Sequence, residues 1–244
     1  MLSMVKSMSL HGLQGYLIDV QVDVGPGLPY YEIVGLPDIS VRESKERVRA
    51  AIKNSGIDLK SRRIIINLAP ADTKKEGAVF DLPIAIGILN ATENLQIENK
   101  EQFNKTILLG ELSLDGSLNK INGVLPICIE AKKMGVKRII LPKTNTKEAV
   151  IVDGIEVVGA NNLKQVVNLL NGTEEVKIEE KDSEKIAYEK YKYDFSEVKG
   201  QKNVKRALEI SAAGGHNCLL IGSPGSRKNN AGKKITINIT RHDF

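Results

Sequence analysis

The run RIIINL, residues 63–68, constrains this chain more than any other stretch. It is too apolar for a strand with one face in water and too short for a helix, so it is read as a central, buried strand. Around it the chain alternates between strand and helix signals. Residues 17–24 place Ile18, Val20, Val22 and Val24 in alternation with Asp19, Gln21 and Asp23, the period of a strand with one buried face. A strand over 30–34 follows the Pro26-Gly27 turn. Ser40 with Glu43 forms a capping box for a helix over 39–54, whose apolar stripe is Val41, Val48, Ala51 and Ile52 and which Gly56 stops. Asp81 with Pro83 marks the cap and first turn of a helix through LPIAIGILNAT.

Further along, a strand is expected over 106–112, with Asp115-Gly116 turning the chain. A helix over 126–134 closed by Gly135, a strand over 136–141 closed by Pro142, a strand over 155–158 and a helix over 163–170 complete the pattern. With 244 residues, 41% hydrophobic and 27% charged, there is material for one or two α/β domains. From Thr173 the composition changes to a dense mixture of both charges, TEEVKIEEKDSEKIAYEKYKYD, read as a solvated linker or an exposed helix. Beyond it lie a helix over 201–213, with Val204, Ala207, Leu208 and Ser211 on one side, and a buried strand NCLLI over 217–221. The domains expected are therefore 1–172, a charged linker 173–193, and a second module from 194.

No run reaches the roughly 20 apolar residues of a membrane span, and the N-terminus has no continuous apolar leader, which places the chain in the cytoplasm without membrane partners. Cys128 and Cys218, both in apolar surroundings, suit two reduced and buried thiols, and His11, His216 and His242 are scattered, so no metal site is expected. The net charge of +5 is local. Residues 227–244 hold Arg227, Lys228, Lys233, Lys234 and Arg241 against Asp243 alone, so the first 226 residues are nearly neutral and give little electrostatic case for DNA. Lys74, Lys75, Arg62 and Arg63 make small basic clusters, read as a solvated face in preference to a DNA contact, with a role in a ring lumen as the alternative. Ser117 and Lys120 have the S-x-x-K spacing of acylating enzymes but follow a turn, and are read as chance.

The strongest chemical signal is the loop after NCLLI. A phosphate-binding loop needs glycines whose neighbouring N–H groups wrap the phosphates, a lysine for the outer phosphates and a hydroxyl for Mg²⁺. Gly222, Ser223, Pro224, Gly225, Ser226 and Lys228 fit that frame, but Arg227 stands where glycine is due and Asn229 where the hydroxyl is due.

The stretch from Asp194, DFSEVKGQKNVKRALEISAAGGHNCLLIGSPGS, resembles the start of the AAA+ module in the magnesium-chelatase-like ATPases of the YifB/ComM family. GLPDISVRESKERVRAAIKNSG, INLAPADTKKEGAVFDLPIAIGIL and LLGELSLDGSLNKINGVLPICIEAKKMGVKRIILP resemble that family's N-terminal domain, which shares its fold with the proteolytic domain of Lon. The fold so implied is an α/β domain of Lon proteolytic type followed by an incomplete P-loop AAA+ module. The resemblance implies ATP and Mg²⁺ as cofactors, a homo-oligomeric ring, typically a hexamer, and in some members action on DNA in competence and recombination. It places Gly200 and Gln201 beside the adenine. Lon-type peptidases use a Ser-Lys dyad. Here the serine position falls at Val79 and the lysine position at Leu125, so proteolysis is not expected. The alternative to an ATPase fragment is a non-enzymatic binding module.

The tail departs from that family. A helix must follow a phosphate loop, yet Asn229, Asn230 and Gly232 are poor helix formers and 235–240 alternate like a strand. The 18 tail residues can be encoded so that deleting one adenine before the first GG restores GKTMLAKRLPSILPGMT, the loop ending and helix the family calls for. Residues 227–244 are therefore expected to be out of frame, and the polypeptide inactive as an ATPase.

Overall fold

A computed structural model describes residues 1–12, 14–59, 62–181 and 200–220. It falls into two compact units, 1–182 and 183–244. The first holds strands β1 (Leu2–His11), β2 (Gln14–Gly25), β3 (Tyr30–Val34) and β4 (Arg63–Ala69), then β5 (Thr106–Leu108), β6 (Glu111–Leu112), β7 (Leu118–Asn119), β8 (Arg138–Pro142) and β9 (Glu156–Ala160). Its helices are α1 (Ile39–Asn54), α2 (Asp81–Ala91), α3 (Lys100–Phe103), α4 (Val124–Lys133), α5 (Thr146–Ala149) and α6 (Leu163–Leu170). In the second unit the described residues form helix α7 (Lys202–Ala213).

Among the described residues, seven strands make one mixed sheet in the order β3-β4-β2-β1-β5-β8-β9, and β6 and β7 pair as a separate hairpin. Only β1–β2 and β2–β4 are antiparallel in the large sheet. The other four pairs are parallel. The fold class is thus α/β with a mostly parallel sheet. Side chains alternate between two cores. Val5, Leu108, Ile140 and Val158 join one with α1, α2 and α6, while Met8, Ile107, Ile139, Leu141 and Val157 join the other with α4.

The strand containing RIIINL is interior but second from the edge, and it is covered on one face. Ile64, Ile66 and Leu68 are buried, whereas Ile65, Asn67 and Ala69 are half-buried. On that open face Asn67 donates to Gln21 Oε1 at 2.9 Å. A run of isoleucines therefore marks β-propensity here as much as burial.

Helix α1 spans the residues expected, but its cap is Asp38, not Ser40. The Asp38 carboxylate accepts from Val41 N–H at 2.8 Å, and Ser40 Oγ donates to the same carboxylate instead of capping. Asp81 likewise is not a cap. Residues Ala78–Phe80 form a 3₁₀ turn running directly into α2, so Asp81 lies inside the helical run. Ten of the eleven residues of α2 are buried, as befits a helix apolar all round. It lies so close to the sheet that a Cβ at Gly87 would sit 2.6 Å from Val22 Cγ2.

Residues 106–112 are not one strand. Leu109 N–H donates to the Ile140 carbonyl, Gly110 N–H to the Val79 carbonyl, and the chain leaves the sheet before β6. Residues 173–181, which sequence reading puts in the charged linker, pack on the first unit. Ile178 bridges Val158, Glu179 N–H donates to the Val157 carbonyl at 2.8 Å, and Lys181 pairs with Asp153 at 2.9 Å. They cover the outer edge of β9, which would otherwise present unpaired main-chain groups.

Two further expectations are corrected. Lys75 is no part of a solvated basic face. It is fully buried, its ammonium donates to the Thr73 carbonyl at 2.7 Å and to that of Pro70, and burial lowers its pKa. Cys128 is buried as expected and its thiol is pushed up to about 12, mainly by burial, but Cys218 is exposed. Residues 217–220 form no strand, and Asn217, Cys218 and Leu219 are exposed, not buried as a core strand would be.

Candidate functional site

The loop residues Gly222, Ser223, Pro224, Gly225, Ser226 and Lys228 lie outside the described residues. What leads into them is described. Gly200 and Gln201 both adopt left-handed backbone, φ 75 and 53, and open α7 without a side-chain cap. Of the face expected on that helix, Leu208 and Ser211 are buried and Val204 is half-buried, while Ala207 is exposed. The helix ends at Gly214-Gly215, where the chain folds back: His216 N–H donates to the Ser211 carbonyl at 2.8 Å and Ser211 Oγ donates to the His216 carbonyl. The turn hands the chain to 217–220 and so toward the glycine loop.

The donor set for ATP and Mg²⁺ can be judged from its chemistry. Lys228 and the amides around Gly222 and Gly225 suit phosphate oxygens. Arg227 carries a long side chain where the backbone must approach a phosphate, and the Asn229 carboxamide replaces the hydroxyl that would reach the metal. As written, the set does not fit the magnesium complex.

In the first unit the structure brings together a second constellation that sequence reading did not. A cavity of about 400 Å³ is lined by Met8, Ser9 and Leu10 of β1, residues 76–79, Glu111 of β6, Lys120, Ile121 and Asn122 after β7, and Ile127 of α4. Val79, expected from the Lon resemblance at the peptidase serine position, forms part of its wall and packs against both cores. Leu125, expected from the same resemblance at the lysine position, is half-buried at the start of α4 and is not among the lining residues; its N–H donates to Glu148 Oε1 at 2.9 Å. Neither side chain supplies a nucleophile or a base. Ser117 Oγ, the other serine weighed, donates to Asp115 Oδ1 at 2.7 Å within its turn. No short-range signal marks the cavity, because its walls come from five segments between residues 8 and 127.

Next to the wall at 76–79 lies an ion pair between a buried carboxylate and a half-buried arginine. Asp81 is fully buried and takes two bonds from Arg47, Nε to Oδ2 at 2.8 Å and a terminal nitrogen to Oδ1 at 3.1 Å. Arg47 also donates to the Ser40 carbonyl at 3.0 Å, and Leu112 N–H reaches Asp81 Oδ2 at 3.2 Å. Burial raises the Asp81 pKa against the pull of these partners. One carboxylate thereby ties α1, the start of α2 and β6 into a single frame.

Comparison with known proteins places this chain. Residues 20–145 match the family described as subunit ChlI of Mg-chelatase, and residues 194–241 match a second family described as magnesium chelatase, subunit ChlI. This chain belongs to the magnesium-chelatase ChlI family. The second match takes in residues 227–241. Within the family, the chain is 38% identical over 238 residues to the competence protein ComM of Haemophilus influenzae, covering 96% of this chain and 46% of ComM. It is 40% identical over 234 residues to the protein YifB of Escherichia coli, covering 96% and 45%. The chain thus spans about half the length of the curated relatives it matches. Lon protease 2 of Bacillus subtilis is 27% identical over 172 residues, covering 63% of this chain and 30% of that protease. Among the described residues of this ChlI-family chain, no helix is long and apolar enough to cross a membrane.

Proposed function

We propose that the second unit of this chain is the start of an ATP-binding AAA+ module and that the polypeptide as written does not turn over ATP. The observation that carries both halves is the segment GSPGSRKN, which keeps Gly222 to Ser226 and Lys228 but has Arg227 and Asn229 at the two positions where phosphate approach and Mg²⁺ ligation are demanding. Gly200 and Gln201 are assigned to the adenine side. For the intact protein we propose a ring-forming ATPase that remodels its substrate. A role on DNA rests on likeness to a competence protein and not on charge, since the residues before the tail are nearly neutral.

We further infer that residues 227–244 are read out of frame. The one-adenine deletion that yields GKTMLAKRLPSILPGMT accounts together for the broken loop, the local excess of charge and the strand-like alternation where a helix is due. Titration calorimetry of the full chain with ATP and Mg²⁺ is expected to show no sub-millimolar binding and no heat of turnover. Restoring the frame in the gene is expected to bring both back. Turnover by the chain as written would sink the first proposal, and genomic DNA without a family-like continuation in the shifted frame would sink the second. A binding role for the first unit is the second reading, favoured by the cavity at Val79.

A further inference from the structure

The cavity at Val79 is a gap in the sheet itself. Met1 and Val24 exchange main-chain hydrogen bonds in both directions. The antiparallel alternation then turns the N–H and C=O groups of Ser3, Val5, Ser7 and Ser9 toward β2, and those of Lys6, Met8 and Leu10 toward the β5 side. On that side, among the described residues, β1 has a partner only at Lys6, opposite Ile107. The neighbouring strand ends at Leu108, and Gly110 N–H turns off to the Val79 carbonyl. The main-chain groups of Leu10 therefore face the cavity with no strand of the described residues beside them. Met8, Ser9 and Leu10 all line the cavity, which lies along this stretch of β1.

Across the gap stands the 76–79 segment. Gly77, at φ 84, opens the helical run with no side-chain cap, so the first N–H groups of that run have no acceptor within it. The floor is apolar: Met8, Leu10, Val79, Ile121 and Ile127. Of the charged groups on the rim, Glu76 is paired with Lys74 at 2.7 Å and Glu111 accepts from Asn119 Nδ2 at 3.0 Å. Lys120 is exposed and has no ion pair among the described residues.

We propose that this gap binds an extended polypeptide segment that adds a short strand along Leu10, sets an apolar side chain on the Val79–Ile121–Ile127 floor and places an acidic side chain at Lys120. An extended chain is the occupant because a bare strand edge is satisfied by main-chain donors and acceptors at strand spacing, which a compact ligand does not offer. The acidic neighbour is matched to Lys120, the rim cation without an ion pair among the described residues, and sits away from the Glu111 carboxylate, whose partner Asn119 is neutral. This binding is independent of the nucleotide reading, since every residue in it belongs to the first unit.

The test is fluorescence anisotropy of the full chain with a fluorescein-labelled octapeptide of alternating valine and glutamate. Two companions complete it, the same peptide with N-methylated valine amides and an octapeptide of alternating valine and lysine. Saturable binding of the valine–glutamate peptide is expected, weakened on the order of tenfold or more by N-methylation, because the lost strand bonds act together. Lys120→Glu, an exposed change that leaves the fold intact, is expected to reverse the preference toward the valine–lysine peptide. Val79→Phe, with its melting temperature checked, is expected to abolish binding by filling the gap. Absence of saturable binding at millimolar peptide, equal binding of the N-methylated peptide, or an unchanged preference in Lys120→Glu would each overturn the proposal.

Discussion

Replacing Arg47 by Met is the sharpest probe of how the first unit is held together. The substitution keeps most of the packing volume of the arginine stem but leaves the fully buried Asp81 carboxylate with only the Leu112 N–H, 3.2 Å away. Stranding a buried charge in this way costs about 3–5 kcal/mol. The cost must depend on pH. In wild type the Asp81 pKa already stands above its ordinary value because burial outweighs the bonds from Arg47 and Leu112. Without Arg47 it rises further, by about one unit for each 1.36 kcal/mol of lost interaction. A folded-state pKa above the unfolded one means that the variant's deficit is small below the unfolded carboxylate pKa, where Asp81 is protonated in both states. The deficit then grows as pH rises through the folded pKa. Urea unfolding of Arg47→Met against wild type is thus expected to show a small difference near pH 4 and the full one near pH 7.5. The double variant Arg47→Met, Asp81→Leu is expected to recover most of the loss. A deficit below about 1 kcal/mol at pH 7.5, or one independent of pH, would refute the view that this pair is a desolvated, structure-holding contact.

Two further outcomes are expected. Asp38→Ala should cost about 1 kcal/mol at neutral pH by removing the cap of α1. Burial tends to raise Asp38, but bonds from Val41, Ser40 and Gly77 bring its pKa below the ordinary value, so this contribution is present above the unfolded carboxylate pKa and fades as pH falls through the folded one, readable as a narrowing gap in urea midpoints. Lys143→Glu removes the ion pair with Glu179 and sets like charges together, so hydrogen exchange at the Glu179 amide, which is bonded to the Val157 carbonyl, should speed several-fold while the α2 amides are unchanged; equal rates at Glu179 would mean that residues 173–181 are held by their main chain alone.

Element identity was written plainly in local periodicity. The alternation over 17–24, the stripe of α1 and the apolar run of α2 each report one face or one environment, and such patterns survive without knowledge of neighbours. The glycine loop is equally local, since a phosphate cradle is built from consecutive residues, and its departures at Arg227 and Asn229 are visible in the letters. Caps and burial of single charges were not legible. Ser40 and Asp81 both look like caps by type, but the Asp38 carboxylate takes the N–H of Val41, and Asp81 is claimed by an arginine 34 residues away. Lys75 looks like surface and is core, because the 70–77 loop closes over it.

The chain's letters alone decide which segments are strand or helix and which family motif is present or broken, for these depend on contacts within a few residues. Only the tertiary structure decides that β5 leaves β1 after one pairing, that α2 begins beside that departure, and that Val79, Lys120 and Leu10 meet around one gap. Those placements follow from how a twisted mixed sheet and two cores pack together, and packing joins residues whose separation along the chain carries no periodic signal.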